Sequence, residues 1–426
     1  MFKVLVIAYY FPPMGLSGVQ RTVKFIKYMK KYNWEPTVIT TNQPGYFSHD
    51  NSLLKEVDDF NIRVIRTDAK NSDTAFSNKK TRNIPPEFMR RFLSRVSKTF
   101  FIPDNKVAWA NQAYSAAKEL LEKEEFDIIC VSIPPFSSFT LAAKLSKEFD
   151  ISLFVDYRDL WTGNQFAFNP TPYHRVLHKR MEYKALKVAD KVVTINRKIK
   201  ERLLSTFQFL TFEDILILPH GFDEEDFSSA VPIPKANNKM RLTYTGLFYE
   251  NITPKYFLQA FKKLTYERPD IAENIELHFI GHLRKENKRL IDKLNLQAYV
   301  KDYGYLEHKE TIRRIVSSDV LWMMIGRGKS SDSISTGKLF EYFGSRKPVI
   351  ACVPDGAAKI AAQEYGAAFI TEPDDVEQIK NAILKVHSMY RAGSLPQANE
   401  DFVQKHRIDV LTEQLTKSFQ FYMKAV

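Results

Sequence analysis

The chain runs to 426 residues, 44% hydrophobic and 26% charged, with a formal charge of +12; this excludes a disordered protein and allows two or three domains. No apolar run reaches the roughly 20 residues of a membrane-spanning helix, and the opening MFKVLVIAYYFPP has too short an apolar part, ended by Pro12 and Pro13, for a secretory leader. Residues 1–200 hold 32 Lys and Arg against 20 Asp and Glu, whereas residues 201–426 hold 30 of each, so the excess charge belongs to the first half and points to phosphate-bearing partners.

In chain order, the apolar run KVLVIAYY reads as a first strand and Val19 to Tyr32 as a helix; PTVIT and IRVIRT are strands. The stretch KKTRNIPPEFMRRFLSRVSKTF (79–100) sets Lys79, Lys80, Arg82, Arg90, Arg91, Arg95 and Lys98 against Glu87, a net +6. From Pro86 on, Phe88, Phe92 and Val96 recur at helical spacing, which suits both an anionic membrane surface and a solvated helix packed on its own domain. Helices through Ala108 to Glu124 and near Ser138 to Glu148 flank the strand FDIICVSI; SLFVDY, ADKVVTIN and DILILPHGF follow. The first domain is expected to span 1–218, with the polar, proline-bearing SSAVPIPKANNKM (228–240) as linker. A second domain, 219–405, repeats the pattern with RLTYTG, IELHFIG, YVKDYG, DVLWMMIG, KPVIACV and AAFI, and a helix within 406–426 is expected to return to the first domain. Such alternation predicts an α/β protein of two doubly wound parallel sheets. Cys130 and Cys352, in separate buried strands without zinc spacing, read as reduced thiols of a cytoplasmic protein.

Ligands of parallel sheets gather at the carboxyl ends of strands, and three constellations lie there. The first, AYYFPPMGLSGVQR, places Gly15 and Gly18 in a loop opening a helix, suited to an anion or a sugar oxygen and also to a plain tight turn. It lacks the spacing of a dinucleotide fingerprint, which disfavours a nicotinamide dehydrogenase. The second, FVDYRDLW, ends a strand with Asp156, Arg158 and Asp159; Arg158 can grip a phosphate or form a structural ion pair, and Asp159 is the candidate base.

The third is IGRGKSSDSISTGKLFEYF, where Arg327, Lys329 and Lys338 bring positive charge to a helix N-terminus already disposed to bind phosphate. Leu339, Tyr342 and Phe343 form the inward face of that helix, and Gly344 reads as its end. Glu341 lies on the other side, four residues beyond Gly337 or about 6 Å along the axis at 1.5 Å per residue. A carboxylate at that distance from a diphosphate can accept the hydroxyls of the adjoining ribose; alone, it reads as a solvated helix residue.

These motifs, with LPHGFD, YTGLF, DYGYLEHKE and KLFEYFGSRKPVI in this order, resemble the GT-B glycosyltransferases, specifically the large family 4-like group of retaining enzymes that build bacterial surface polysaccharides. The resemblance covers the chain almost end to end. It implies two Rossmann-like domains facing across a cleft, a nucleotide-sugar donor held mainly by the second, a glycan or lipid-linked acceptor held mainly by the first, and no cofactor or obligatory metal. It further implies Glu341 on the donor ribose, Thr336, Gly337, Lys338 and Leu339 near the diphosphate, Gly246 at the cleft floor, Tyr305 and Leu306 near the base, and Gly15 and Gly18 near the phosphates and transferred sugar.

Departures from the family pattern are visible. Ser333 occupies the place of a second glutamate, with Asp332 beside it; Arg158 replaces a frequent histidine; Lys255 is a loose substitute for the basic pair expected after YTG. A cytoplasmic enzyme peripheral to the inner membrane face is expected, with no nucleic-acid partner. The alternatives are a nucleotide-sugar epimerase of the same architecture and a non-catalytic basic protein that binds phosphate or nucleic acid.

Overall fold

The computed structural model describes residues 1–15, 17–42, 48–67, 87–164 and 168–423, the side chains of Ser17, Glu87, Phe88 and Arg91 excepted. The chain forms two units, Met1–Pro219 with Ile408–Val426, and His220–Arg407.

In the first unit the strands are β1 (Phe2–Ile7), β2 (Trp34–Thr41), β3 (Arg63–Thr67), β4 (Ile128–Ile133), β5 (Ser152–Tyr157), β6 (Lys191–Thr194) and β7 (Ile215–Ile217), in the order β3-β2-β1-β4-β5-β6-β7. All recorded pairings are parallel. Helices cover both faces of such a sheet, so its inner strands need apolar residues on both sides. That need is why β4 reads IICVSI and is buried at every position. Strand order reverses between β1 and β4, which opens a crevice at their carboxyl ends.

The second unit contains β8 (Met240–Thr245), β9 (Ile275–Ile280), β10 (Val300–Asp302), β11 (Val320–Met324), β12 (Val349–Cys352) and β13 (Ala368–Thr371), ordered β10-β9-β8-β11-β12-β13 and also parallel. Its core lies in two layers, one around Trp322, whose ring stacks on Phe257 at 3.7 Å, and one around Phe343 and Tyr365 at 4.3 Å. The switch point falls between β8 and β11. Cys130 and Cys352 are buried and unbonded, and burial pushes the Cys352 thiol up to about 12.

One sequence expectation needs correction. The stretch 228–240 is no linker but part of the second unit, because Arg241 donates to the carbonyls of Ile233, Pro234 and Ser317 while Lys235 pairs with Asp319 at 2.5 Å. Gly344 is the last residue of its helix, as expected, while the left-handed conformation that follows is taken by Arg346 at φ 58°. Gly344 is small for another reason: a Cβ there would stand 2.4 Å from the ring of Phe222.

The last helix, Ile408–Tyr422, belongs to the first unit and packs on the helix Ser17–Met29. Phe419 is fully buried, its ring 5.1 Å from that of Trp34 and 4.7 Å from that of Phe154; Tyr32 and Ser152 donate to the carbonyls of Asp409 and Tyr422. Removing that ring should leave a cavity costing about 3–5 kcal/mol. Urea denaturation of Phe419→Ala is expected to show that loss in the transition of the first unit, with Phe421→Ala, 85% exposed, within about 0.5 kcal/mol of wild type.

Candidate functional site

The best-formed constellation lies in the second unit, at the carboxyl end of β8. There the chain turns through Gly246 at φ 102°, its N–H donating to the carbonyl of Ile280 at 2.6 Å, and through Gly281 at φ 128°, donating to Gly304 at 2.7 Å. L residues avoid this conformation, and a Cβ on Gly281 would meet the Gly246 carbonyl at 2.4 Å. The backbone of adjacent strand ends therefore forms a close floor without side chains.

Over this floor reaches Lys338, in the first turn of the helix Gly337–Gly344. A Cβ on Gly246 would lie 2.8 Å from its Nζ, so the lysine occupies the space that the missing side chain leaves. Nζ donates to the Tyr244 hydroxyl at 2.8 Å and sits 4.0 Å from the centre of that ring. The helix is pinned to the strand by Tyr342, whose hydroxyl accepts the N–H of Thr245 at 2.8 Å. Crowding by protein lowers the Lys338 pKa to about 7, opposed by the charge of Glu341. An ammonium so placed gains from an added anion.

Thr336 precedes the helix in extended conformation and makes no cap bond; its buried Oγ1 has no partner among the described residues. The start of this helix is thus left with donors that the protein does not satisfy. His220 of the LPHGFD motif stands beside Gly337, its Nδ1 3.8 Å from where a Cβ would be. Leu339 is fully buried, so only its backbone is available to a ligand. Glu341 avoids the apolar face, as its spacing predicts, yet is no solvated glutamate: its side chain is 13% exposed and Oε1 lies 2.9 Å from Nε2 of His308.

Other predicted residues are placed differently. Arg327 turns away to Glu372 and to Asp374, the latter at 3.2 Å, carboxylates that follow β13, two strands from β11 in the sheet; they raise its pKa further. Lys329 and Lys255 are exposed. Ser333 is buried in a short 3-10 turn and donates to the Ser330 carbonyl at 2.8 Å. Tyr305, just past Gly304, stacks on His282, just past Gly281, at 5.5 Å and 11°, a flat aromatic pair beside the glycine floor. Leu306 follows half-buried, its carbonyl accepting from Thr311 at 3.4 Å.

In the first unit, the N–H of Gly15 donates to Ser48 at 2.9 Å. Arg158 donates to the carbonyls of Gly18 at 2.5 Å and of Ile133 and Pro134, both at 3.3 Å. Gly18 lies not in the expected loop but in the first turn of the helix Ser17–Met29, so the guanidinium ties that helix start to the end of β4 and the residue after it. Asp159 is open to solvent but closely walled by protein, which raises its pKa against the pull of Arg158. Behind it, fully buried Glu182 accepts from the Tyr157 hydroxyl and, at 3.0 Å, from the Thr162 N–H; burial pushes its pKa up to about 7.

Sequence reasoning missed His308, His282, Tyr244 and Glu182. His308 lies inside the motif DYGYLEHKE, but nothing in its spacing points to Glu341. His282 had a usable signal in following a glycine at a strand end.

Family models match both halves: Glycosyltransferase Family 4 over residues 16–226 and Glycosyl transferases group 1 over residues 228–405. No curated protein matches by sequence. Similar solved structures include sucrose-phosphate synthase from Thermosynechococcus elongatus (TM-score 0.65, 13% identity, 99% of each chain covered) and Anabaena HepE in complex with UDP and glucose (0.63, 13%, 99% of this chain and 100% of that one). UDP-GlcNAc 2-epimerase from Methanocaldococcus jannaschii is also similar (0.55, 13%, 99% and 100%). At these identities the likeness establishes the fold; with the family matches over both halves, the chain belongs to the GT-B glycosyltransferases, of the group 1 and family 4 type.

Proposed function

We propose that this glycosyltransferase takes a nucleotide-sugar as donor and transfers the sugar, with retention of anomeric configuration and without an obligatory metal, to a glycan or lipid-linked acceptor of a cell-surface polysaccharide. The observation that carries this reading is Lys338 over Gly246 with Glu341 one turn along the same helix. In it, the diphosphate lies at the helix start against Lys338, Gly337 and Thr336, Glu341 accepts ribose hydroxyls, and the base lies near Tyr305 and Leu306. The leaving diphosphate is stabilised electrostatically, and a donor phosphate oxygen takes the acceptor proton. Gly15, Gly18 and Asp159 serve the transferred sugar and acceptor, and Arg158 acts by holding the helix start that carries Gly18.

A thermal-shift screen with UDP-, GDP- and ADP-sugars is expected to find one nucleotide that stabilises the protein. Lys338→Ala and Glu341→Ala are each expected to lower its affinity at least about tenfold, the scale of a lost hydrogen bond to a charged group. Undiminished binding and turnover in both variants rejects the assignment. Proton NMR of the first product reads the anomeric configuration; conversion of the sugar nucleotide without acceptor would make the protein an epimerase.

The Lys338 assignment has a pH signature. The free protein loses the lysine proton near pH 7, and a bound diphosphate raises that pKa, so binding takes up a proton above about pH 7. Nucleoside diphosphate affinity should fall as pH rises from about 7 to 8.5. Calorimetry in buffers of differing ionisation enthalpy should detect the uptake in wild type and not in Lys338→Met; pH-independent binding refutes it.

For an acceptor in a lipid phase, the helix Glu87–Phe100 supplies the anchor. Met89, Phe92, Leu93, Val96 and Phe100 follow one side of it and are 44%, 64%, 54%, 40% and 77% exposed, with Arg90, Arg95 and Lys98 on the same helix. The predicted basic residues Lys79, Lys80 and Arg82, with Pro86, lie outside the described residues, as do the side chains of Phe88 and Arg91. This face suits the inner leaflet of the cytoplasmic membrane. Cosedimentation with vesicles containing phosphatidylglycerol, and not with phosphatidylcholine alone, is expected, dropping at least about tenfold in Phe92→Glu/Leu93→Glu. Equal binding by that variant counts against it. Among the described residues no helix is long and apolar enough to cross a membrane.

A further inference from the structure

The carboxylate assigned to the ribose does not stand alone. His308 opens the helix His308–Val316, and its Nε2 lies 2.9 Å from Oε1 of Glu341. On the other side of the ring, Nδ1 is 3.8 Å from Oδ2 of Asp226, on the short helix Glu224–Ser228. The imidazole side chain is 6% exposed, Glu341 13% and Asp226 22%. Three separate elements thus bring a carboxylate, an imidazole and a second carboxylate into one row, largely shielded from water.

The chemical consequence follows from what glutamate lacks by itself. Its three side-chain torsions let the carboxylate swing and rotate, so a glutamate on a helix surface offers no fixed pair of acceptors. A nearly buried N–H donor aimed at Oε1 removes that freedom, and a hydrogen bond to a charged acceptor is among the stronger ones a protein makes. With Oε1 held by the imidazole, Oε2 and the remaining lone pair of Oε1 are left to accept, the number of acceptors that two adjacent ribose hydroxyls require. Asp226, 3.8 Å from Nδ1 and so beyond hydrogen-bond distance, places a negative charge on the opposite side of the ring, which favours an N–H there.

We infer that His308, backed by Asp226, is a positioning residue that orients Glu341 for a vicinal diol, and so makes this site selective for ribonucleotides over 2′-deoxyribonucleotides. The inference rests on Glu341 being the ribose ligand and adds to it the residue that sets its geometry. A purely structural histidine would affect stability, or the affinity for both nucleotides equally. An orienting histidine affects their ratio.

The experiment compares dissociation constants of UDP with 2′-deoxy-UDP, or GDP with 2′-deoxy-GDP where that is the nucleotide bound, by calorimetry on the full chain. Wild type is expected to prefer the ribonucleotide about tenfold or more, one charged hydrogen bond's worth. His308→Phe, which fills the space but donates nothing, should reduce the preference to within about threefold. His308→Gln, which retains a donor, should keep most of it, and Asp226→Asn should lower it in part. Wild-type preference in His308→Phe together with its loss in Glu341→Gln overturns the role of His308 alone. Equal binding of both nucleotides by wild type removes the ribose reading and this inference together. Should His308→Phe fail to fold, an unaltered preference in Asp226→Asn combined with His308→Ala overturns the inference equally.

Discussion

The second unit is organised by a side chain that is not there. Because Gly246 has no Cβ, the ammonium of Lys338 can lie over the end of β8, and because Tyr342 accepts the N–H of Thr245, the helix that carries Lys338 is held in register with that strand. The electrostatics give the arrangement a direction. Arg327 and Arg346 are paired with carboxylates, and each has its pKa raised by them. Lys338 is shifted the other way, since crowding by protein outweighs the pull of Glu341. A protein that surrounds a cation with more desolvation than counter-charge leaves an opening for a ligand to supply the difference.

Cations in the first unit are used in the opposite sense. Arg158 donates to three backbone carbonyls, and Arg21 to Asp156 at 3.0 Å and to the carbonyls of Leu218 and Pro219. Both guanidinium groups are buried and hydrogen-bonded along their donors, the condition under which a buried charge is tolerated. They brace loops and the end of the unit. Arg158, just past β5, stands where the family frequently has a histidine, and it is this bonding, invisible in the residue type, that makes it a brace. The proposed division of labour, with charge poised for phosphate in the second unit and loops braced in the first, fits these two uses.

Much of the fold was legible because parallel strands covered on both faces must be apolar runs, and such runs are easily seen between helical stretches. The side of the helix Gly337–Gly344 that carries Glu341 was legible for a similarly local reason, the spacing of Leu339, Tyr342 and Phe343. What spacing cannot show is the partner chosen across the fold. Glu341 meets a histidine 33 positions away, Arg327 a carboxylate 47 positions away, and Arg158 a carbonyl 140 positions away. The same holds for 228–240: its prolines and polar residues look like a linker, and only the donors of Arg241 and the pairing of Lys235 with Asp319 show it fastened to the second unit.

The proposed membrane role of the exposed helix of the first unit can be weighed by magnitudes. Isolated exposed apolar residues are ordinary on a soluble protein, but Met89, Phe92, Leu93, Val96 and Phe100 recur on one helix side. Burying a large apolar side chain is worth about 1.5–3 kcal/mol, and each basic residue near an anionic leaflet about 1 kcal/mol. In the proposed membrane-bound state, several such partial insertions with Arg90, Arg95 and Lys98 would exceed the reversible hold of a single short acyl chain, while remaining far below that of a membrane-spanning helix. A surface of that strength would keep an enzyme beside a lipid-borne acceptor for many encounters and still let it leave, and salt would weaken it because part of the attraction is between charges.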